Sequence, residues 1–193
     1  MQTPTFIESY QTEEYDLCDR IVLRFETILE NQLNGIPDQY YMAGSAQSGP
    51  RVRQDHSVDF YALQDPLSSE VHNKVLSKYA TQYGEKYPGF LNESSFSQDM
   101  KVQKTEPKGG FHLWHKEHIG SFPCNYRSLV WTLYLNDVPD GEGETEFLEY
   151  GIKVTPKKGL LCIFPASWTH LHRGNAVYNC NKYIATGWYY YSS

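Results

Sequence analysis

The 193-residue chain carries a formal charge of −6, with 40% hydrophobic and 21% charged residues, the balance of an ordinary globular domain long enough to bury a core. Its acidity argues against a general binder of nucleic-acid backbone, which needs a basic stripe, and no run of about 18 apolar residues is available to cross a membrane. Sixteen tyrosines and four tryptophans favour pleated, β-rich structure.

Residues Met1 to Asp16 contain glutamates and lack the apolar stretch of a secretory signal,. Cys18, Cys124, Cys162 and Cys180 form no Cys-x-x-Cys pair. Together these features predict a cytoplasmic protein with free thiols. Leu17, Cys18, Ile21, Val22, Phe25, Ile28 and Leu29 recur at helical spacing, with Glu13 and Glu14 placed in the first turn after Thr12 and a stop at Asn34-Gly35 and Pro37,. A Gly-, Ser- and Gln-rich loop from Ala43 to Gln54 precedes a short alternating strand from Ser57 to Leu63. Asp65-Pro66 then opens a second helix as N-cap and first residue, and Leu67, Val71, Val75, Leu76, Tyr79 and Tyr83 give it one apolar face ending near Gly84 and Pro88,. Both stripes read as core, and Asn92-Glu93-Ser94 as a chance glycosylation match.

From about Phe96 the texture changes to short strand-like runs between turns. The runs are Met100 to Thr105, Phe111 to Glu117, Arg127 to Asn136, Thr145 to Glu149, Ile152 to Val154, Gly159 to Phe164, Trp168 to His172 and Lys182 to Tyr191,. That density fits a double-sheet jelly roll. The expected architecture is mainly β with N-terminal helices: one domain over residues 1–193, with 1–95 a helical scaffold carrying the first strands and 96–193 the jelly-roll core. In the Arg127 run, Leu129, Trp131, Leu133 and Leu135 share an apolar side suited to packing on a helix. Ser128, Val130, Thr132, Tyr134 and Asn136 share a side polar enough to line a cavity,. Lys182, Ile184, Thr186, Trp188 and Tyr190 alternate onto one side of the last run, and a lysine there is costly to bury without an anionic partner.

Gly110 to His118 packs three histidines and a glutamate among aromatics. On a strand, His115 and Glu117 project from one face, which lets an imidazole and a carboxylate meet one metal ion. Two histidines and a carboxylate on one octahedral face suit a mononuclear iron(II) site with open positions for an oxo-acid and dioxygen. The third ligand must come from later in the chain, where His170 and His172 are the only histidines. His112, His115 and His118 taken singly could equally be packing residues, and Arg127 and Arg173 either recognise carboxylates or form structural ion pairs.

Several further motifs follow in order: Tyr134-Leu135-Asn136-Asp137-Val138, Gly143-Glu144-Thr145-Glu146-Phe147, Val154-Thr155-Pro156-Lys157-Lys158-Gly159, Phe164-Pro165-Ala166 and His172-Arg173-Gly174, closed by Lys182 and Trp188. With His115 and Glu117, this series over about Val102 to Tyr190 resembles the iron(II)/2-oxoglutarate-dependent dioxygenases, most closely their prolyl-4-hydroxylase-like branch with small microbial and viral members. The resemblance implies a double-stranded β-helix, Fe(II) held by His115, Glu117 and a distal histidine, 2-oxoglutarate and O2 as co-substrates, and ascorbate as a candidate reductant. It implies a basic residue about ten positions past the distal histidine that pairs with the far carboxylate of 2-oxoglutarate. Lys182 lies ten past His172 and twelve past His170, which favours His172. Tyr134, Trp188 and His112 are implied as pocket neighbours, and His118 as a bystander. Glu117 departs from the usual aspartate, and Glu142-Gly143 from a usual pair of glycines. The implied activity is hydroxylation of an aliphatic carbon in a peptide side chain, prolyl in type, or in a small amino-acid-like molecule, releasing succinate and CO2. The other reading is a non-catalytic jelly-roll module that binds carbohydrate or protein. No nucleic-acid or membrane partner is expected, and the sequence leaves the oligomeric state open.

Overall fold

The computed structural model describes residues 4–36, 41–43, 55–89, 96–97, 99–120 and 122–191. Pro37, most of the loop from Ala43 to Gln54, and Asn92 to Ser94 lie outside them. The first apolar stripe becomes α1 (Tyr15–Leu33), which buries Leu17, Cys18, Ile21, Phe25, Ile28 and Leu29. The helix begins later than the Thr12 signal suggests. Thr12 Oγ1 accepts from the Glu14 amide at 3.0 Å, closing a turn ahead of the helix, so Asp16 rather than Glu13 or Glu14 is the first-turn acid. Asn34 caps its end and Gly35, at φ 80°, reverses the chain,.

Asp65 caps the second helix as its sequence demands, its Oδ1 accepting from the Leu67 amide at 3.1 Å ahead of Pro66. α2 (Pro66–Val71) passes through one π-helical turn, His72–Leu76, into α3 (Ser77–Lys86). The wider turn lets consecutive Val75 and Leu76 both reach the core,. Gly84 sits inside α3 rather than ending it. Arg20 forks onto Glu70 at 2.9 and 2.8 Å, and Arg24 reaches Asp65 at 2.8 Å, tying α1 to α2. Among the described residues no helix is long and apolar enough to cross a membrane.

The strands, in chain order, are β1 (Glu8–Gln11), β2 (Tyr41–Ala43), β3 (Asp55–Asp59), β4 (Phe96–Ser97), β5 (Lys101–Thr105), β6 (Phe111–His115), β7 (Arg127–Tyr134), β8 (Thr145–Phe147), β9 (Ile152–Val154), β10 (Leu160–Pro165), β11 (His172–Gly174) and β12 (Lys182–Tyr190). A large sheet runs β1-β10-β7-β12-β5-β3-β2, with β4 added beside β12, and a smaller one runs β6-β11-β8-β9. Every pairing is antiparallel. The result is a jelly roll backed by helices.

β7 and β8 each stop two residues short of their expected runs, at Tyr134 and Phe147, and three other boundaries also differ from expectation. β6 stops at His115, two residues before Glu117. Trp168–His170 is a 3-10 turn, closed by the His170 amide on the Ser167 carbonyl at 3.1 Å, so the strand starts only at His172. The strand sought at Ser57 to Leu63 lies at β3 instead. β1 carried no signal, because Glu-Ser-Tyr-Gln has no apolar alternation and acts by backbone pairing to β10.

The two faces of β7 part as the alternation requires. Leu129, Trp131, Leu133 and Leu135 join the helices in one buried cluster, whereas Val130 and Tyr134 join Phe147, Val154, Cys162 and Phe164 between the sheets. Gly187 of β12 allows the closest approach in this core: a Cβ there would meet the Asp99 carbonyl and the Trp131 ring at 2.7 Å. Gly187→Ala is therefore expected to destabilise the protein by roughly 1–3 kcal/mol through overpacking, read as a lowered denaturation midpoint with unchanged far-ultraviolet circular dichroism.

Candidate metal centre and its cavity

A cavity of about 380 Å³ lies over the inner face of the large sheet. At one end, the pairing of β6 with β11 sets His115 and His172 directly opposite each other, with ring centroids 4.3 Å apart,. Glu117 arrives by a different route from the one its spacing suggests. It lies in a bend beyond β6, where the amides of Glu117 and His118 both donate to the Ala166 carbonyl at 3.1 and 2.8 Å. The bend returns the carboxylate to the histidines, placing Oε1 3.4 Å from His115 Nε2 and 4.0 Å from His172 Nε2. Among the described residues this is the one group of three such side chains able to hold an ion, its ligand atoms lying within 4.8 Å of one another.

The donor set suits a metal in its protonation as well as its position. His115 Nδ1 lies 2.9 Å from the Leu113 carbonyl and His172 Nδ1 3.0 Å from the His170 carbonyl. A carbonyl can only accept, so each Nδ1 keeps a hydrogen, and each Nε2 is the nitrogen that faces the carboxylate and would ligate a metal once free of its proton. Burial, followed by the neighbouring His115, pushes His172 down to about 4. Burial pushes Glu117 upward, but the His115 hydrogen bond and the charges of His115, His172 and Arg127 outweigh it and hold the carboxyl at about 2. At neutral pH, His172 is neutral and Glu117 ionised, the forms that bind a metal without first losing a proton. Two imidazoles and one carboxylate fit iron(II).

His170 is buried but directed elsewhere. Its Nε2 meets the Thr5 carbonyl at 2.8 Å and its Nδ1 the Thr169 hydroxyl at 2.9 Å, beside the Tyr150 ring. His118 turns its Nδ1 to the Arg127 carbonyl at 3.1 Å.

Lys182 occupies the cavity wall near Gly174 and Thr145. Its buried ammonium donates to the Gly143 carbonyl at 2.6 Å. Burial pulls its pKa down to about 8 against the field of Glu144. Trp188 also lines the cavity, its ring stacked on the Arg127 guanidinium at 3.5 Å. Two expected pocket residues lie off the surface. Tyr134 is fully buried behind the wall, its hydroxyl donating to Thr145 Oγ1 at 2.7 Å, and Thr145 is the residue that faces the cavity. His112 alternates onto the side of β6 opposite Phe111 and His115, with its ring over Gly110, and takes no part in the lining.

The two open arginines are engaged differently. Arg173 reaches Glu146 at 2.9 and 2.8 Å and stacks on Trp114, as a structural ion pair would. Arg127 reaches the candidate ligand Glu117, its Nη1 2.9 Å from Oε2. The chain in order offered no sign of Asp55, Lys101, Gln103 and Thr105, which extend the lining across β3 and β5. The period-two spacing of Lys101, Gln103 and Thr105 on β5 is a signal that could have found those three,.

Residues 100–190 match the family model described as the 2OG-Fe(II) oxygenase superfamily. The chain is similar in structure to the viral collagen prolyl hydroxylase of Paramecium Bursaria Chlorella virus-1, solved as a 2OG complex, at TM-score 0.69 and 16% identity over 97% of both chains. It is similar to a prolyl-4-hydroxylase of Pseudomonas putida at TM-score 0.65 and 14% identity, over 96% of this chain and 92% of that one. A Trichoplax adhaerens prolyl hydroxylase, solved with a peptide fragment of the hypoxia inducible factor oxygen degradation domain, matches at TM-score 0.64 and 15% identity, over 96% and 84%. At these identities the shared property is the fold. No curated protein matches the sequence.

His172→Ala is expected to lower Fe(II) or Co(II) affinity by more than about 100-fold, beyond the range for an outer partner of a ligand. His170→Ala should leave it within a few-fold, since only the backbone carbonyl of His170 supports the site. Anaerobic calorimetry distinguishes the two outcomes.

Proposed function

Since residues 100–190 match the family model of the 2OG-Fe(II) oxygenase superfamily, we propose that the chain is such an oxygenase and hydroxylates an aliphatic carbon of a peptide side chain, prolyl in type, or of a small amino-acid-like molecule, releasing succinate and CO2. In this reading His115, Glu117 and His172 hold Fe(II), and Lys182 binds the far carboxylate of 2-oxoglutarate. The observation that carries it is the convergence of His115 Nε2, Glu117 Oε1 and His172 Nε2 at one end of a cavity that also contains a buried lysine. A carbohydrate- or protein-binding module has no use for a buried ammonium beside a set of metal donors. A peptide substrate is favoured by the Trichoplax adhaerens enzyme of the same fold, which was solved with a peptide.

Iron(II) bound with 2-oxoglutarate supplies oxidative decarboxylation coupled to insertion of one oxygen atom of O2 into a substrate C–H bond. The protein's own part is positioning and electrostatics. The β6–β11 ladder fixes both imidazoles, and their carbonyl partners fix the tautomers. Lys182 holds a cation where water is scarce, so a carboxylate that reaches it gains a strong charge-assisted bond. Tyr134 donates to Thr145 Oγ1, which leaves the Thr145 hydroxyl hydrogen for an acceptor in the cavity. Val130, Phe164 and Ile184 keep that part of the wall apolar and exclude competing water.

Anaerobic addition of Fe(II) and 2-oxoglutarate should give a visible charge-transfer band, and prolyl peptides should stimulate succinate release. Absence of both the band and 2-oxoglutarate binding would overturn the proposal. Lys182→Ala should weaken 2-oxoglutarate binding about 10- to 100-fold, the equivalent of one charge-assisted hydrogen bond, with metal affinity unchanged. Lys182 is cationic below its pKa of about 8 and neutral above it. Affinity for 2-oxoglutarate should therefore fall as pH rises through and beyond 8, a bound carboxylate moving the midpoint upward. Lys182→Arg, whose guanidinium stays charged, should remove that fall in calorimetric titrations across the same range.

A further inference from the structure

Two of the three candidate ligands are fixed by a β-ladder, and the third is not. His115 and His172 face each other across β6 and β11, whereas Glu117 stands in a bend past the end of β6. A glutamate side chain has three rotatable bonds and two equivalent oxygens, so the bend alone does not determine which oxygen faces the histidines. Arg127 supplies what the ladder does not. Its Nη1 donates to Glu117 Oε2 at 2.9 Å and to the Glu117 backbone carbonyl at 3.3 Å. One nitrogen thus ties the carboxylate to its own main chain, leaving Oε1 toward His115 and His172. The Arg127 carbonyl also receives His118 Nδ1 at 3.1 Å, so the bend is held from both ends of the same residue. The guanidinium is in turn fixed by its 3.5 Å stack on Trp188.

We infer, on the reading of His115, Glu117 and His172 as a metal centre, that Arg127 is a positioning residue: it clamps Glu117 through Oε2 and presents Oε1 alone to the metal. Trp188 is the platform that keeps the clamp in place. A lysine cannot reproduce this, because a point charge neither stacks flat on an indole nor offers the fixed directions of a guanidinium.

Two physical effects of Arg127 oppose each other, and they give the test its sign. As a cation near the site it repels a divalent metal; as a clamp it orders a ligand. Arg127→Met removes both effects, and Arg127→Lys keeps the charge while losing the fixed N–H directions and the stack. If the clamp governs, both variants bind Co(II) more weakly, Met by about 10- to 100-fold in the range for an outer partner of a ligand. Their Co(II) ligand-field spectra should also change as the carboxylate changes its mode of binding. Metal-free melting curves and circular dichroism show whether each variant folds, and Arg127→Lys keeps the question open to test if Arg127→Met does not. A wild-type spectrum and affinity in a folded variant would overturn the inference. So would tighter binding by Arg127→Met, since the cation would then act by repulsion. Failure of the unaltered protein to bind Co(II) would instead remove the metal-centre reading itself, so the two failures are distinguishable.

Discussion

The antiparallel register of β6 against β11 is the constraint on which the site depends. His172 is the Cα partner of His115, and Phe147 of β8 is the next partner outward. A slip of one residue in either strand would turn its imidazole to the other side of the small sheet and part the pair. The register is held from outside the pair. Arg173 binds Glu146 across β11 and β8, Phe147 and Phe164 pack against the His172 ring, and the ladder shifts between His172 and Gly174. That irregularity coincides with Gly174, beside which the Lys182 ammonium lies. The same short strand therefore sets the candidate metal donors at one end and makes room for the buried cation at the other.

Charge is distributed through the cavity so that Glu117 and Arg173 do not bear the cost of burial alone. Glu117 has the histidines on one oxygen and Arg127 on the other. Arg173 has Glu146. Lys182 is the exception, with a carbonyl at contact distance and Glu144 acting only through its field, so that burial draws its pKa down. A group whose charged form is under-satisfied in the protein gains most from an anionic ligand. The cavity is in this sense incomplete at Lys182 and complete at Arg173, which separates the two cations by role although both line it.

Much of this organisation could be read from residue order. The apolar stripe of α1, the Asp65-Pro66 start of α2, the two faces of β7 and the alternation of β12 all follow from local periodicity, and each appears in the fold. His115, Glu117, His172 and Lys182, all singled out in the sequence, line one cavity. What could not be read depends on long-range geometry. Glu117 lies near His115 through a bend held by Ala166, not through strand alternation. Tyr134 has the parity of a cavity residue but is screened by Thr145, a neighbour from another strand. His112 lies one strand position from the wall residue Phe111 by count and on the opposite side by pleat. β1 is held by backbone pairing, to which side-chain pattern is blind.

Stability and chemistry are separated across a single sheet. On one side of β7 and β12, Leu129, Trp131, Leu133 and Ala185 lie in the core shared with α1 and the second helix. On the other side, Val130, Thr132, Lys182, Thr186 and Trp188 line the cavity. Thr132 and Thr186 face each other within 3.4 Å, and Thr186 also donates to the Trp131 carbonyl at 2.8 Å, so the polar side is itself tied down. The apolar side fills a dry interior at native density, which leaves the cavity side to bear the cost of buried charge. Because adjacent residues on these strands serve opposite sides, the sheet transmits rigidity from the helical core to the site. The Arg127–Trp188 stack joins the first residue of β7 to a cavity-facing residue of β12 and places the support of Glu117 on that rigid sheet, although Glu117 itself lies on none of its strands.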